Sequence, residues 1–461
     1  MSDSELTQAA SALKRGLGRW DLTAFGVNIV IGSAVFLTPS LLTAQLGNWA
    51  PVAIIVAGLA VLCIAFCFAE VGSRFDRTGG PYLYTLAAFG KFLAFEVGWM
   101  TWFTRIASQA AISNGIALAI GFYAPVMSAG APRVTLILGL LLALAWINAR
   151  GIRQSAFLVN TLTLAKLAPL AVFIVIGLFF IDWERWPSFP PLSRTHLAAG
   201  ALLLIYAFGG FEAVGIPAGE SRDPRRHLPF ALITTIIAVT VIMVLVQVVA
   251  MSTLPNMANS KTPVADAALR FMGPAGALMI GIGSIVAMTG NTAGSILAAS
   301  RMLFALGENG SLPRVFARIH PQYQTPSFAI WFSALAAIAL ALSGSFAVLA
   351  MASAIARLLT YIGVSAATLV LRSPRFENRV SWPTFVVPLG ITIPVLAVLA
   401  SLIIIAGATA AQLIAGAGAL AAGAVVFGLA PWFGRKPTES AVVSTVTPPT
   451  DRVSREEIPR P

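Results

Sequence analysis

Two apolar stretches of the 461-residue chain are interrupted by small residues, and these breaks indicate where the chain binds a ligand. One stretch, residues 22–46, is broken at Gly32-Ser33-Ala34, and the other, residues 197–219, is broken at Gly209-Gly210. Backbone groups freed inside a membrane must line a protein-enclosed cavity, because each group without a partner costs several kcal/mol in lipid. The N-terminus of a half-helix favours an anion and the C-terminus favours a cation, so a cavity with both suits a zwitterion.

The first break predicts where the anionic end of such a ligand is bound. We expect the backbone amides around the break to bind a carboxylate, and the residues that carry them are Ile31, Gly32, Ser33, Ala34 and Val35. The alternative is a close contact between two helices, since small residues are common where membrane helices pack.

The second break combines paired glycines, aromatic side chains and an acid within residues 206–212. Glu212 must face a cavity or a partner, because a carboxylate is costly in lipid. The other residues of the break are expected to supply carbonyl groups that face an amine and an aromatic lid, and they are Phe208, Gly209, Gly210 and Phe211. The alternative is a purely structural packing role for this segment.

Lys166 lies about ten residues into the apolar stretch 157–181, too deep for its ammonium group to reach the membrane surface easily. Burial disfavours the charged form of a lysine, which makes proton exchange feasible. We expect the ammonium group to replace a metal cation between the broken first helix and the eighth helix, with Gly290 and Asn291 as neighbours. The alternative is a permanently paired structural cation.

The other charged residues within apolar stretches divide into two groups, and together they are Glu70, Glu96, Arg105, Arg301 and Arg357. Glu70, Arg301 and Arg357 are expected near the cytoplasmic side, where we predict ion pairs of an inner gate rather than contacts with the ligand. Arg105 lies deeper, and either role is open for it. It is also a candidate to neutralise Glu212 or Glu96.

Twelve apolar stretches position these residues, and each approaches the roughly 20 residues that a helix needs to cross the hydrocarbon core. The chain is 57% hydrophobic, has a mean hydropathy of +0.84 and is only 10% charged. Ordinary soluble domains are about 25% charged, so the composition excludes a soluble globular protein. The stretches are at about residues 22–45, 51–73, 86–122, 133–149, 157–181, 197–219, 229–252, 271–305, 327–344, 346–371, 384–406 and 410–433.

The Lys and Arg residues of the connecting segments fall mostly on the side that holds both termini, which predicts that both termini are cytoplasmic. The net charge of +12 is therefore a signal of topology, and we expect no nucleic-acid partner. We predict a cytoplasmic N-terminal segment (1–19), a transmembrane domain (20–435) and a disordered cytoplasmic tail (436–461), whose composition is rich in Pro, Ser, Thr and charged residues.

Cysteine and histidine residues indicate neither a cofactor nor a metal. Cys63 and Cys67 are one turn apart in a helix and are expected to pack as small apolar residues. The histidines are at predicted helix ends or in loops, so we expect no metal cluster. The absence of a nucleophile–base group at membrane depth argues against a membrane enzyme.

Several ordered segments together resemble the amino acid–polyamine–organocation superfamily of secondary transporters over about residues 15–435. The matching segments are Gly32-Ser33-Ala34-Val35-Phe36, Ala69-Glu70, Gly79-Gly80-Pro81-Tyr82-Leu83-Tyr84, Gly210-Phe211-Glu212, Gly219-Glu220-Ser221-Arg222-Asp223-Pro224 and Arg301-Met302-Leu303-Phe304-Ala305-Leu306-Gly307-Glu308-Asn309-Gly310. The resemblance implies an all-α, LeuT-like fold of five-plus-five inverted repeats, with helices 1 and 6 discontinuous and two extra C-terminal helices.

The resemblance also implies that an amino acid lies between helices one, three, six, eight and ten. Lys166 resembles the lysine of proton-coupled members that lack a sodium site. Ala34 is a departure, because the third position of the first break is usually glycine in this superfamily. Alanine tolerates fewer backbone conformations than glycine, so the geometry of the carboxylate site and the accepted substrate size are expected to differ.

The sequence therefore predicts a secondary active transporter of amino acids that works by alternating access, with proton coupling through Lys166 and a preference for neutral or apolar substrates. The alternatives are an exchanger of amino acids or amines, and a permease for polyamines or cationic amino acids. A transport-derived sensor or channel is less consistent with the short tail. We expect a multi-pass protein of the plasma or inner membrane, monomeric or weakly dimeric, with lipid, protons and the amino acid as its partners and no cofactor.

Overall fold

The computed structural model describes residues 15–182, 189, 191–343, 346–376 and 379–429, and all regular structure in these ranges is helical. This confirms the all-α prediction. The predicted disordered tail, 436–461, lies outside the described residues, as does most of the predicted N-terminal segment.

The α-helices of these ranges follow one another through connecting segments, and the 3₁₀ helix Phe211–Glu220 bears on the site. We number the α-helices α1 (Arg19–Val30), α2 (Ala34–Leu46), α3 (Ala50–Gly72), α4 (Pro81–Phe89), α5 (Lys91–Tyr123), α6 (Gly130–Ala149), α7 (Ile152–Gly177), α8 (Arg194–Phe208), α9 (Pro224–Thr253), α10 (Pro263–Glu308), α11 (Ser327–Ser343), α12 (Phe346–Leu371), α13 (Thr392–Ala406) and α14 (Ala410–Leu429). The 3₁₀ helix Phe211–Glu220 follows α8, and the 3₁₀ helix Leu178–Phe180 follows α7.

Seven helical segments of the described chain are long and apolar enough to cross a membrane, and three shorter helices are also apolar. α5 is not among them, although it is 33 residues long, because its apolar surface is interrupted by charged and polar residues. Arg105 and Gln109 of α5 are buried, so this helix lies inside the bundle with part of its polar face against other helices.

Three boundaries differ from the prediction. The stretch 86–122 is two helices, α4 and α5, separated at Gly90, whose φ of 84° is readily accessible only to glycine. The stretch 384–406 becomes helical only at Thr392. The eighth helix begins at Pro263, and non-helical dihedral angles at Gly273 divide it into a short first part and a long second part. The first part lies largely before the predicted stretch 271–305.

The centre of the bundle holds the two breaks. α5 packs along α10 and α12, and α1 packs against α7, α9 and the 3₁₀ helix Phe211–Glu220. Side chains of α5, α7, α10 and α12 therefore converge on the interrupted helices.

Candidate functional site

The first break separates α1 from α2 at Ile31-Gly32-Ser33, so α2 begins at Ala34 rather than after it. The amide of Ile31 continues the α1 ladder by donating to Val27 (2.9 Å), and the amide of Gly32 turns back to Val30 (2.8 Å). The first amides of an α-helix have no acceptor within that helix. The amides from Ser33 onward therefore form the N-terminal pole of α2, which favours negative charge.

Lys166 of α7 binds the end of α1. Its Nζ lies 2.6 Å from the carbonyl oxygens of both Asn28 and Ile31, and the side chain is fully buried. These carbonyls belong to the last turn of α1, where the helix dipole favours a cation. The ammonium group thus lies at the C-terminal end of α1, beside the first break.

α10 completes this environment through Asn291 and Gly290. Asn291 donates a side-chain hydrogen bond to the carbonyl of Ile29, while Asn28 donates to the carbonyl of Gly290 (2.6 Å). A β-carbon on Gly32 would lie 2.6 Å from Nδ2 of Asn291. Gly32 is therefore needed for α10 to approach the break closely.

The second break lies between Phe208, the last residue of α8, and Phe211, the first residue of the 3₁₀ helix. Gly210 has a φ of 129°, which L side chains rarely adopt. A β-carbon on Gly210 would lie 3.1 Å from the carbonyl carbon and oxygen of Ile29. The two breaks therefore touch each other through a glycine.

Glu212 is the centre of a buried hydrogen-bonding group. Its Oε1 accepts from Nη2 of Arg105 (2.7 Å) and from Nε of Arg357 (3.0 Å). Its Oε2 accepts from the hydroxyl of Tyr361 (3.0 Å) and from the amide of Gly210 (2.8 Å). The side chains of Glu212, Arg105, Arg357 and Tyr361 are at most 3% exposed. A single carboxylate is therefore the shared partner of two buried guanidinium groups.

Several polar atoms around this group have no hydrogen-bond partner among the described residues. They are Nε of Arg105, Nη1 of Arg357 and both side-chain polar atoms of Gln109, which follows Arg105 by one turn of α5 and is fully buried. The guanidinium group of Arg357 lies directly against Gly209, where a β-carbon would overlap it. The unpaired atom of Arg357 therefore adjoins the second break, and that of Arg105 belongs to the other guanidinium group that binds Glu212.

The aromatic residues of the second break lie inside the bundle. Phe208 and Phe211 are both fully buried, and the ring of Phe211 packs between those of Phe68 and Tyr361, with centroids 5.5 and 5.2 Å away. The hydroxyl of Tyr206 lies 3.2 Å from Oγ of Ser33 and so joins α8 to the first break.

A second buried ion pair joins the end of the 3₁₀ helix Phe211–Glu220 to α10. Arg301 pairs with Glu220 (Nε to Oε1, 2.8 Å), and both side chains are fully buried. The backbone carbonyl of Glu220 accepts hydrogen bonds from the amides of Gly16 and Leu17 (2.8 and 3.0 Å). This links the 3₁₀ helix to α10 and to the segment before α1.

The remaining candidate charges are separate from the breaks, with one exception. Glu70 forms a two-pronged pair with Arg372 (2.8 and 2.5 Å) and accepts from the amide of Val387 (2.8 Å). Glu96 faces α14, where a β-carbon on Gly423 would lie 2.7 Å from its Oε2. The exception is Arg357, which forms an ion pair with Glu212 beside the second break.

Sequence reasoning missed Gln109, Tyr206 and Glu220 as members of this arrangement. Gln109 and Tyr206 are polar residues inside apolar stretches, which was an available signal. Glu220 follows Gly219 near the end of a stretch, and its position alone did not show that its side chain turns inward to Arg301.

Comparison with known proteins gives one family and several relatives. A family model described as amino acid permease matches residues 17–428. The methylthioribose transporter of Bacillus subtilis is 28% identical over 82% of this chain and 86% of its own length. The branched-chain amino acid permease BcaP of the same organism is 27% identical over 79% and 83%. Cationic amino acid transporter 4 of Mus musculus is 27% identical over 80% of this chain and 61% of its own length.

Proposed function

The chain belongs to the amino acid permease family, whose members are multi-pass membrane transporters, and we propose that it moves an amino acid across the membrane by alternating access with coupling to a proton. The observation that carries the proposal is the position of Lys166. Its ammonium group holds two carbonyls of the last turn of α1 at the point where the helix is interrupted.

Proton coupling follows from what this contact does. A protonated Lys166 donates to Asn28 and Ile31, whereas a neutral amine binds the same carbonyls more weakly, because charge-assisted hydrogen bonds are about twice as strong as neutral ones. Loss of the proton therefore loosens the end of α1. Since Ile29 of that turn contacts Gly210, the loosening reaches both breaks.

The amino acid site lies between the N-terminal end of α2 and the C-terminal end of α8. The N-terminal pole of α2 at Ser33, Ala34 and Val35 binds the α-carboxylate, with Ile31 and Gly32 shaping the turn before it. The C-terminal end of α8 at Phe208 and Gly209 supplies carbonyls for the α-amine, and Gly210 and Phe211 close that side. These residues are buried except Gly209, which is partly buried, so protein encloses most of the site.

The order of the elements supports a five-plus-five arrangement with twelve transmembrane passes. α1–α2 and α8 with its 3₁₀ helix are the two interrupted helices. The short α4 before α5 corresponds to the short first part of α10, which ends at Gly273. α13 and α14 are the two extra helices. In this arrangement the transmembrane domain is 20–435, both termini are cytoplasmic, and the protein is in the plasma or inner membrane.

The test is uptake by the purified protein in liposomes with an imposed pH gradient. We expect accumulation of an amino acid driven by the proton gradient, and we expect Lys166→Ala to abolish it while exchange of internal for external substrate remains. Lys91→Ala is the matched control, because Lys91 is exposed at the start of α5. Undiminished gradient-driven accumulation in Lys166→Ala would overturn the coupling role.

The same liposomes test the rival hypothesis of an exchanger. An exchanger shows counterflow between internal and external amino acid with no movement of protons and no response to the pH gradient. That result would replace the coupled mechanism by obligate exchange, while transport of an amino acid would stand.

A further inference from the structure

We propose that the transported amino acid carries an acidic side chain, whose carboxylate binds between Arg357, Arg105 and Gln109. The inference deepens the proposed function and rests on it, because it assigns the side-chain pocket of the same site. It replaces the preference for neutral or apolar substrates that the sequence alone suggested.

The charges around Glu212 do not balance. One carboxylate faces two guanidinium groups, and all three side chains are at most 3% exposed. Arginine remains protonated in proteins, so the group keeps a surplus of one positive charge. A buried charge without compensation is costly, and an anionic group of the substrate would supply the compensation.

The unpaired atoms have the right chemistry for that anion. Both guanidinium groups have a free N–H donor after binding Glu212, at Nε of Arg105 and at Nη1 of Arg357. The side-chain amide of Gln109 adds a third buried donor, one turn further along α5. Buried polar groups are usually hydrogen-bonded. Three unpaired donors, in a group where one carboxylate faces two guanidinium groups, therefore indicate a ligand with acceptor oxygens.

The position of Arg357 connects this pocket to the amino acid site. Its guanidinium group lies on Gly209, the residue at the end of α8 that is proposed to face the α-amine. A substrate held there by its backbone ends extends its side chain toward Arg357 and Arg105. A cationic side chain would meet two like charges at this place, and an apolar side chain would leave the donors unpaired.

The first experiment compares substrates of nearly equal shape in liposomes that contain the full-length protein. We expect saturable uptake of L-glutamate or L-aspartate, with kcat/KM at least tenfold above that of L-glutamine, L-leucine and L-lysine. Transport of glutamine, leucine or lysine in preference to both acidic amino acids would overturn the inference and leave the proposed function intact. Failure to transport any amino acid would overturn both.

The second experiment places a carboxylate in the pocket. Gln109→Glu has the same shape as the native residue and cancels the surplus charge, so it should lower the ratio of glutamate to glutamine kcat/KM at least tenfold. Gln412→Glu, in α14, is the matched control and should leave the ratio unchanged. The thermal midpoint in detergent reports whether each variant folds. A folded Gln109→Glu protein with the native ratio would overturn the inference, and the wild-type comparison decides it if that variant does not fold.

Discussion

The peptide of Ile29, in the last turn of α1, lies so close to Gly210 that a β-carbon on the glycine would be 3.1 Å from the Ile29 carbonyl oxygen. This contact joins the two helix breaks directly. Lys166 and Asn291 bind neighbouring carbonyls of the same turn, so the proposed proton site and the second break share one piece of backbone. On this proposal, a change in the charge of Lys166 acts on the second break without an intervening element.

Gly210→Ala should disrupt this contact. The native φ of 129° costs an alanine of the order of 1–3 kcal/mol, and the new methyl group would also press on Ile29. We expect a lower thermal midpoint and loss of amino acid uptake. Gly418→Ala in α14 is the control, because nothing lies within 4 Å of its β-carbon position. Native uptake by Gly210→Ala would show that the close approach of the breaks is not required.

Glu212→Gln should be among the most damaging single substitutions in the chain. It leaves the guanidinium groups of Arg105 and Arg357 buried without a counter-charge, and breaking a buried ion pair typically costs about 3–5 kcal/mol. Glu212→Asp keeps the charge and should retain part of the stability. The measurement is the thermal midpoint of the purified protein in detergent.

An exposed ion pair provides the comparison for Glu212. Arg226 and Asp223 are 3.9 Å apart, and the Arg226 side chain is 81% exposed, so Arg226→Gln should leave the midpoint nearly unchanged. If Glu212→Gln and Arg226→Gln had equal midpoints, the buried charge group could not be a stabilising centre of the fold.

Glu220→Gln tests the expectation that Arg301 belongs to an inner gate, and it should make the surroundings of this ion pair more accessible. Without the Glu220 carboxylate, the guanidinium group of Arg301 is a buried charge with no counter-charge. Conformations in which this group reaches water are then favoured over the closed one. A cysteine at Ser221, in a protein with Cys63 and Cys67 replaced by alanine, reports this opening through its rate of reaction with a membrane-permeant maleimide. We expect at least tenfold faster labelling with Glu220→Gln than with native Glu220. Equal rates would refute the gating role.

The sequence predicted local features of the site well and distant pairings poorly. The small residues at 32–34 and the paired glycines at 209–210 indicated the two breaks locally, and the depth of Lys166 follows from its position along one helix. The partner of Arg105 depends instead on the packing of helices 107 residues apart, so both Glu212 and Glu96 were open until the structure selected Glu212. Arg357 was expected in an ion pair, and its partner, Glu212, could not be predicted because that pairing depends on how α12 packs against the second break.

Tyr206→Phe should speed release of the substrate without weakening the fold. The Tyr206 hydroxyl lies 3.2 Å from Oγ of Ser33, and this contact joins α8 to the pole of α2 at the proposed carboxylate site. Loss of one hydrogen bond costs about 0.5–1.5 kcal/mol, which corresponds to roughly a two- to tenfold faster dissociation of bound amino acid. The substitution removes only the hydroxyl and leaves the packing of the ring, so the thermal midpoint should change little. Tyr323→Phe, at a half-buried tyrosine in the loop before α11, is the control. A dissociation rate in Tyr206→Phe equal to that of the control would mean that this hydrogen bond does not hold the site closed.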